Sequence, residues 1–188
     1  MTAGIQINKL LSKIALYDDA HAYKELFLLY HARLVGFSSL ITHSKESAEE
    51  VVSDVFLKIW NNRQELPRIE NFHLYIYIIT RNLSINCLAR QKRNATLSLD
   101  EMVVEIKSIY LDPEQLLITK EMYRRIHDAI LELPPRCQLI FKLIKEDGLR
   151  YKEVAELLHL SVKTVENQMT IALRKLGQSI QLRTTIVK

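Results

Sequence analysis

The sequence predicts an all-α protein of two small helical domains joined by a flexible linker, and three observations lead to this. Apolar residues recur at three- and four-residue steps in almost every segment. Gly and Pro number only 4 each among 188 residues, which is too few for a fold rich in strands and tight turns. The helical periodicity then weakens near residue 94 and returns after residue 110. We therefore expect domains at 1–93 and 112–188, with a linker at 94–111.

Composition limits the class of protein and its partners. Hydrophobic residues make up 48% of the chain and charged residues 26%, which fits a globular protein and excludes wholesale disorder. A net charge of +4 permits an acidic partner such as nucleic acid. No apolar run reaches the roughly 18 residues of a membrane span, and residues 1–8 lack the basic start of a signal peptide. A cytoplasmic location is therefore expected, with Cys87 and Cys137 as buried, reduced thiols.

Two helices are predicted at the start of the first domain. Asp18 or Asp19 can accept hydrogen bonds from the free N–H groups of a helix from 20 to about 41. Ser44 can do the same for a helix from 45 to about 62. One face of this second helix is apolar at every third or fourth position, which predicts burial. Its opposite face carries acidic and polar residues: Glu49, Glu50, Ser53, Asp54 and Lys58.

A third helix is predicted from about Asn71 to Arg93, after a break at Pro67. No acidic residue occurs between Asn71 and Leu99, while aromatic residues open the helix and cations end it. Because aromatic rings stack on unpaired bases and cations follow the backbone, this pattern favours binding of a nucleic-acid single strand. The alternative is that the rings belong to the core and the basic end is only solvated. The candidate contacts are Phe72, Tyr75, Arg81, Asn82, Arg90, Lys92 and Arg93.

The second domain opens with a strong helix start at Asp112-Pro113, where Asp can cap the helix and Pro suits its first turn. We expect this helix to end near Leu133. Pro134-Pro135 then begins another helix, which is expected to stop at Gly148 because glycine readily adopts the conformation that ends a helix. The second domain therefore starts with a pair of helices.

The last two helices, at about 151–158 and 162–178, have the spacing of a helix-turn-helix. Ser161 is predicted to cap the second helix. His159 stands where Gly is commonest, so it needs either a positive φ or a slightly different turn between the helices. Arg150 stands where a capping Ser or Thr is expected. Polar side chains at the start of the second helix suit base edges in a major groove, and cations suit phosphates. The candidate contacts are Lys163, Thr164, Glu166, Asn167, Gln168, Thr170 and Arg174. The alternative is a hairpin whose polar face meets only water.

Three motifs, in this order, resemble the extracytoplasmic-function (ECF, group 4) sigma factors of the sigma-70 family. Residues 48–60, AEEVVSDVFLKIW, are similar to region 2.2, which docks on the clamp helices of RNA polymerase. Residues 75–83, YIYIITRNL, are similar to regions 2.3 and 2.4, which melt and read the −10 promoter element. Residues 133–141, LPPRCQLIF, followed by GLRYKEVA at 148–155, are similar to region 4, which reads the −35 element. The chain lacks room for regions 1.1 and 3 of housekeeping sigma factors.

This resemblance implies a factor that binds bacterial core RNA polymerase through the acidic helix face. The basic helix would hold single-stranded −10 DNA, and the helix-turn-helix would read the −35 duplex. An anti-sigma factor, often membrane-anchored in this family, is a further implied partner. Ser53 departs from the family, which often has Gln there, and Asn86 stands where Asp is common. We expect no catalytic residue, metal site, cofactor or small-molecule substrate, because RNA synthesis would belong to the polymerase.

Two other functions stay open at this level. A helix-turn-helix regulator that acts without polymerase would use the first domain for sensing or dimerisation, and it would bind a palindromic site. A helical adaptor that binds only proteins would show no salt-sensitive binding to DNA. Run-off transcription with purified core polymerase, with and without this chain, distinguishes all three functions.

Overall fold

The computed structural model describes residues 2–94 and 127–185 of the chain, and the side chains of 6–91 and 127–178. The chain divides into two compact units. We call their described parts the N-terminal unit (2–94) and the C-terminal unit (127–185). Both parts are helical and contain no strand, as predicted. The predicted linker and the helix start at Asp112-Pro113 lie outside these ranges, so the domain boundaries stay predictions. Within the same ranges no helix is apolar over enough residues to cross a bilayer.

The N-terminal unit contains four α-helices and a short 3-10 helix. They are α1 (Thr2–Tyr17), α2 (Ala20–Thr42), α3 (Lys45–Asn61), the 3-10 helix (Arg63–Arg68) and α4 (Phe72–Asn94). Helices α2, α3 and α4 pack against one another, while α1 packs against α2 and the 3-10 helix. Both predicted caps form. Asp19 accepts hydrogen bonds from the N–H groups of His21 and Ala22, and Ser44 accepts one from Ser47.

Helix α1 is a correction, because the sequence predicts no helix before residue 20. Leu10, Leu11 and Ile14 are buried on one side of α1. Their spacing is that of a helix face and was the signal that could have predicted it. Arg63 holds the chain where α1 ends, since it forms an ion pair with Asp18 and its guanidinium carbon lies 4.9 Å from the centre of the Trp60 ring. The N-terminal unit therefore extends to the start of the chain.

The interior of the N-terminal unit fixes how α4 lies on its neighbours. The rings of Phe37 and Tyr77 are buried together, with 5.3 Å between their centres. Nearby, the hydroxyls of Ser38 and Ser84 share a buried hydrogen bond of 2.8 Å that joins α2 to α4. Because a buried hydroxyl without a partner costs free energy, this pair favours one register of the two helices. The outer faces of α3 and α4 are thereby held in a defined relation.

The C-terminal unit contains a helical stretch at 127–131, then α5 (Pro135–Lys145), α6 (Tyr151–Leu158) and α7 (Val162–Thr185). Helix α7 packs against α5 and α6 and continues beyond its predicted end near Gln178. The predicted stop at Gly148 also forms, and this residue has a φ of 78°. One cluster of buried side chains fills the centre of the unit: Ala129, Ile130, Leu133, Cys137, Phe141, Met169, Ala172 and Leu176.

Helices α6 and α7 form the predicted helix-turn-helix. The Ser161 hydroxyl accepts a hydrogen bond of 3.0 Å from the Thr164 N–H, which is the predicted cap. His159 has a φ of 53°, the positive value that was one of the two expectations for this turn. Arg150 supplies no capping side chain. Instead the Glu153 carboxylate accepts a hydrogen bond of 2.6 Å from the Arg150 N–H, which satisfies one free donor at the start of α6.

A buried charge cluster closes the turn between α5 and α6. Lys142 Nζ lies 2.8 and 3.0 Å from the two carboxylate oxygens of Asp147, and 3.6 Å from the Glu146 carboxylate. The side chains of Lys142 and Asp147 are 9% and 0% exposed. Burial raises the pKa of Glu146 to about 7, against the opposing effect of Lys142. One ammonium group therefore serves two carboxylates. Glu146, the more distant of the two, keeps its proton to a higher pH than an ordinary glutamate does.

The raised pKa of Glu146 predicts that the C-terminal unit loses stability as the pH rises. The folded unit holds the Glu146 proton more tightly than the unfolded chain does. The resulting stabilisation is present below pH 4.5 and is lost as the pH rises through about 7. Glu146→Gln should therefore slow amide exchange in α6 and α7 relative to the wild type at pH 8, and have little effect at pH 5. Faster exchange in Glu146→Gln at pH 8 would mean that the ion pair with Lys142 outweighs burial.

The positive φ of His159 predicts a stabilising substitution. Glycine has no Cβ and adopts this conformation without strain, whereas a β-branched residue adopts it with difficulty. His159→Gly should raise the free energy of local unfolding of α6 and α7 by about 0.5 kcal/mol, since relief of strain exceeds the added entropy of the unfolded chain. His159→Val should lower it. Hydrogen exchange of the α6 and α7 amides measures both changes, and the opposite order of the two variants would contradict the prediction.

Candidate functional site

The first candidate surface is the outer side of α3. Its inner side is buried through Ala48, Val51, Val52, Val55, Phe56 and Ile59. The predicted polar residues on the other side are all exposed: Glu49, Glu50, Ser53, Asp54 and Lys58. Glu49 lies 3.7 Å from Lys45 in an exposed ion pair, which contributes little to stability. The outer side of α3 therefore presents a cluster of solvated carboxylates, and we call it the acidic face.

Ser53 has the shortest polar side chain on the acidic face. Its hydroxyl donates a hydrogen bond of 2.9 Å to the carbonyl oxygen of Glu49, one turn earlier in the same helix. A hydroxyl has only one hydrogen to donate, so Ser53 has no donor left for an outside partner. Ser53 therefore has a shorter side chain, with fewer free hydrogen-bond donors, than the Gln that is common at this position in the resembled family.

An open groove separates the acidic face from α4. It is lined by Glu46, Glu49, Glu50, Ser53 and Asp54 of α3 and by Cys87, Arg90 and Gln91 of α4. Arg90, a predicted DNA contact, therefore faces the wall of carboxylates. Glu46 was not predicted as part of this surface, although it precedes Glu50 by one helical turn and that spacing could have identified it. The location of Arg90 could not be predicted, because it depends on how α3 and α4 pack.

The second candidate surface is α4, and its aromatic residues differ from the prediction. Phe72 is only 3% exposed, and its ring packs on Tyr30 with 5.8 Å between the ring centres. The start of α4 lies against α2, so the face of the Phe72 ring is not available to stack on a base. This is a correction to its place among the candidate contacts. Tyr75 is half-buried and keeps part of its ring at the surface.

Three exposed polar residues of α4 line up on one side of the helix. Asn82, Asn86 and Arg90 are exposed and recur every four residues, which places them on one face. Arg81 is half-buried and lies 3.4 Å from the side-chain oxygen of Asn82. The backbone of α4 continues through Lys92 and Arg93, whose side chains lie outside the described residues. This face offers amide groups and cations to a partner, without a carboxylate of its own.

The third candidate surface is the start of α7, residues 162–170, which we call the recognition helix. The predicted contacts that are exposed on α7 are Lys163, Glu166, Asn167, Thr170 and Arg174. Thr164 and Gln168 are half-buried. Lys163 Nζ lies 3.5 Å from the Glu166 carboxylate, and both side chains are largely solvated. The predicted surface therefore forms, with a cation and a carboxylate paired beside the amide of Asn167.

Three exposed residues beside the recognition helix were not predicted as contacts. Arg150, Tyr151 and Lys152 are exposed at the start of α6. In a helix-turn-helix the first helix lies across the backbone of the DNA, where cations are useful. The alternation of basic and aromatic residues directly before the motif was the available signal. The sequence prediction considered Arg150 only as a poor cap.

Comparison with known families identifies both units. Residues 26–94 match the family model for sigma-70 region 2, and residues 123–176 match that for sigma-70 region 4. The N-terminal match begins within α2 and includes all of α3 and α4, and the C-terminal match includes the helix-turn-helix. The candidate surfaces therefore lie inside the matched regions, whereas α1 precedes them.

Similar proteins span most of the chain. The RNA polymerase sigma-H factor of Pseudomonas aeruginosa is 23% identical over 87% of this chain and 88% of its own length. The ECF sigma factor SigW of Bacillus subtilis is 22% identical over 80% and 84%. The ECF sigma-E factor of Escherichia coli strain K12 is 25% identical over 87% and 88%.

Two solved structures share the fold. CnrH in complex with the cytosolic domain of CnrY has a TM-score of 0.55 and 18% identity, over 94% of this chain and 98% of that one. The sigma factor RpoE in complex with the anti-sigma factor NepR from Bartonella quintana has a TM-score of 0.56 and 20% identity, over 85% and 96%. Since sigma-70 regions 2 and 4 together account for well over half of the residues, and in the family's order, the chain belongs to the sigma-70 family as an ECF sigma factor.

Proposed function

We propose that this ECF sigma factor uses three separate surfaces to direct core RNA polymerase to promoters. The acidic face of α3 binds the polymerase, the polar side of α4 holds the single-stranded −10 element, and the recognition helix reads the −35 duplex. The observation that carries the proposal is the division of α3 into a fully buried apolar side and a solvated acidic side. A row of solvent-exposed carboxylates is suited to a basic protein surface and unsuited to DNA.

The −10 contact must offset the cost of extracting bases from the duplex. Flipping a base costs a few kcal/mol, and stacking on an aromatic ring returns about 1–3 kcal/mol per base. Because Phe72 is buried, Tyr75 is the candidate aromatic residue whose ring can supply this stacking free energy. Asn82 and Arg81 lie two turns further along α4, and the basic end of the helix follows. We propose that the strand runs along α4 from Tyr75 toward Arg90.

The recognition helix would enter the major groove at the −35 element. Asn167 is exposed and offers both a donor and an acceptor, which suits the edge of adenine. Glu166 can accept a hydrogen bond from the amino group of cytosine. Arg174 and Lys163 would contact phosphates, together with the start of α6. Each unit thus carries one DNA-binding surface of limited size.

Binding to the polymerase makes these small surfaces sufficient. Once the acidic face is docked, both DNA-binding surfaces act at a high effective concentration near the promoter. The chain then supplies position and strand separation, while RNA synthesis belongs to the polymerase, so we propose no enzymatic activity. Its working place would be the cytoplasm, where the bacterial polymerase and chromosome lie. CnrH and RpoE are each bound to a partner in their solved structures, and we propose an anti-sigma factor here that covers the acidic face.

Reversing the charge of Asp54 tests the polymerase-binding surface. Asp54→Lys places a cation in the middle of the acidic face, where it would repel a basic partner. Because Asp54 is exposed, the fold and its thermal stability should hardly change. We expect assembly with purified core polymerase to weaken by at least about tenfold, equivalent to about 1.4 kcal/mol, and run-off transcription to fall with it.

Glu65→Lys, the same charge change on the exposed 3-10 helix, is the matched control and should assemble normally. Equal assembly by Asp54→Lys and the wild type would remove Asp54 from the interface. If the wild-type chain neither joins core polymerase nor starts transcripts at any promoter, the whole proposal fails.

A double substitution tests the −35 surface separately from the −10 surface. Lys163→Ala with Asn167→Ala removes one cation and one base-reading amide from the recognition helix. This variant should lose preference for promoters with an intact −35 element, yet still transcribe from a template whose −10 region is already unpaired. The control is Asn8→Ala with Lys9→Ala, which changes the same residue types on the exposed side of α1. Loss of transcription from both templates would show that the double variant acts on more than −35 recognition.

A further inference from the structure

We propose that Cys137 is a positioning residue, which turns the side-chain amide of Gln168 so that its N–H2 end alone faces promoter DNA. The inference rests on the proposed reading of the −35 duplex by the recognition helix. Beyond that function, it names the chemical group that Gln168 presents to the duplex and identifies Cys137 as the residue that sets the orientation of the amide. Cys137 lies on α5, which was not predicted to take part in recognition.

The contact joins the core of the C-terminal unit to the recognition helix. Cys137 is 2% exposed and packs in the central cluster of the unit. Its Sγ atom lies 3.0 Å from Oε1 of Gln168, and the thiol is the donor. Gln168 is half-buried, whereas its neighbour Asn167 on the same helix is exposed. The side chain of Gln168 therefore lies against α5 rather than extending freely into solvent.

The protonation state of the thiol decides which end of the amide it prefers. Burial raises the pKa of the Cys137 thiol, and this outweighs the lowering by the nearby cations Lys175 and Arg136. The thiol therefore keeps its proton at neutral pH and can donate it. A glutamine amide has one accepting end and one donating end. A protonated thiol favours the carbonyl end, since the opposite orientation would leave sulfur only as a weak acceptor.

The remaining end of the amide is free to bind a ligand. No acceptor for Gln168 Nε2 is present among the described residues, and this atom is not among the buried polar atoms without a partner. Gln168 thus directs its two N–H donors away from Cys137, whereas its carbonyl oxygen is turned toward α5. Its ligand on DNA must be a hydrogen-bond acceptor, either a phosphate oxygen or an acceptor on a base edge, such as N7 of guanine. The bidentate contact of glutamine with adenine needs both ends of the amide at one base edge, and the turn of the Gln168 oxygen toward Cys137 disfavours it.

Paired substitutions of Cys137 in the full-length chain test the orientation within the polymerase holoenzyme. The measured quantity is the ratio of transcripts from promoters with matched and scrambled −35 elements. Cys137→Ala removes the donor and should lower this ratio by about 2- to 10-fold, the effect of one hydrogen bond. Cys137→Ser keeps a donor at nearly the same place and should restore most of the preference. Ile130→Val, which removes one buried methylene from the same central cluster and no hydrogen-bonding group, should leave the ratio unchanged.

Substitutions of Gln168 show whether Cys137 acts through it. Gln168→Glu still accepts a hydrogen bond from the thiol but has no N–H group, so it should lose as much preference as Gln168→Ala. In the Gln168→Ala background, Cys137→Ala should have no additional effect, because the two residues form one unit. Gln168→Glu and Gln168→Ala change a partly exposed position and keep the test valid if Cys137→Ala folds poorly.

Modified DNA distinguishes the two sources of the acceptor. A single uncharged methylphosphonate removes a phosphate contact, and 7-deazaguanine removes a purine N7. At one position of the −35 duplex, one of these changes should weaken binding of the wild-type holoenzyme and leave binding of the Gln168→Ala holoenzyme unchanged. Sensitivity to methylphosphonate alone assigns a phosphate, and sensitivity to 7-deazaguanine assigns a base edge.

Four outcomes would overturn the inference. Equal −35 preference in the wild type, Cys137→Ala and Cys137→Ser would show that the thiol has no role in recognition. If Cys137→Ala lowers the −35 preference equally in the wild-type and Gln168→Ala backgrounds, Cys137 acts by packing and not through Gln168. If each DNA modification weakens binding of the wild-type and Gln168→Ala holoenzymes equally, an acceptor on DNA for Gln168 is excluded. A wild-type holoenzyme without any −35 preference would refute −35 reading as well, whereas the first three leave the proposed function intact.

Discussion

The burial of one side of α3 is the constraint on which the N-terminal unit depends. Seven residues of this helix are buried against its neighbours, and burying a Val, Phe or Ile side chain stabilises a protein by roughly 1.5–3 kcal/mol. With that side committed to the core, the rotation of α3 is fixed and its carboxylates must face solvent. The surface that we assign to polymerase binding is thus a direct result of core packing. No charged group has to be buried to form this surface.

The interior of the C-terminal unit differs, because charged groups are buried in it. Lys142 and Asp147 are paired inside the turn that leads to α6, and the Cys137 thiol meets the recognition helix from behind. Buried charges are tolerated when their partners are close and well placed. In this unit the interior therefore shapes the DNA-binding surface through specific contacts as well as through apolar packing.

Local signals were sufficient for most of the helices. The Asp19, Ser44 and Ser161 caps and the positive φ of His159 follow from residue type and neighbouring sequence, because each involves atoms within one helical turn. The burial of Phe72 and the location of Arg90 opposite the carboxylates could not be predicted this way. Both depend on contacts between residues far apart in the chain. The acidic face was predictable as a face, since helical periodicity alone divides α3.

The carboxylates opposite Arg90 also affect how the unbound factor moves through the cell. Opposite charges across a groove cancel much of each other's field at distances beyond their separation, and salt screens what remains beyond about 10 Å. Arg90 of the free chain therefore attracts chromosomal DNA less strongly than an isolated surface cation does. Weak attraction to random sequence limits the time spent on the wrong sites, and it leaves more of the protein free to encounter polymerase.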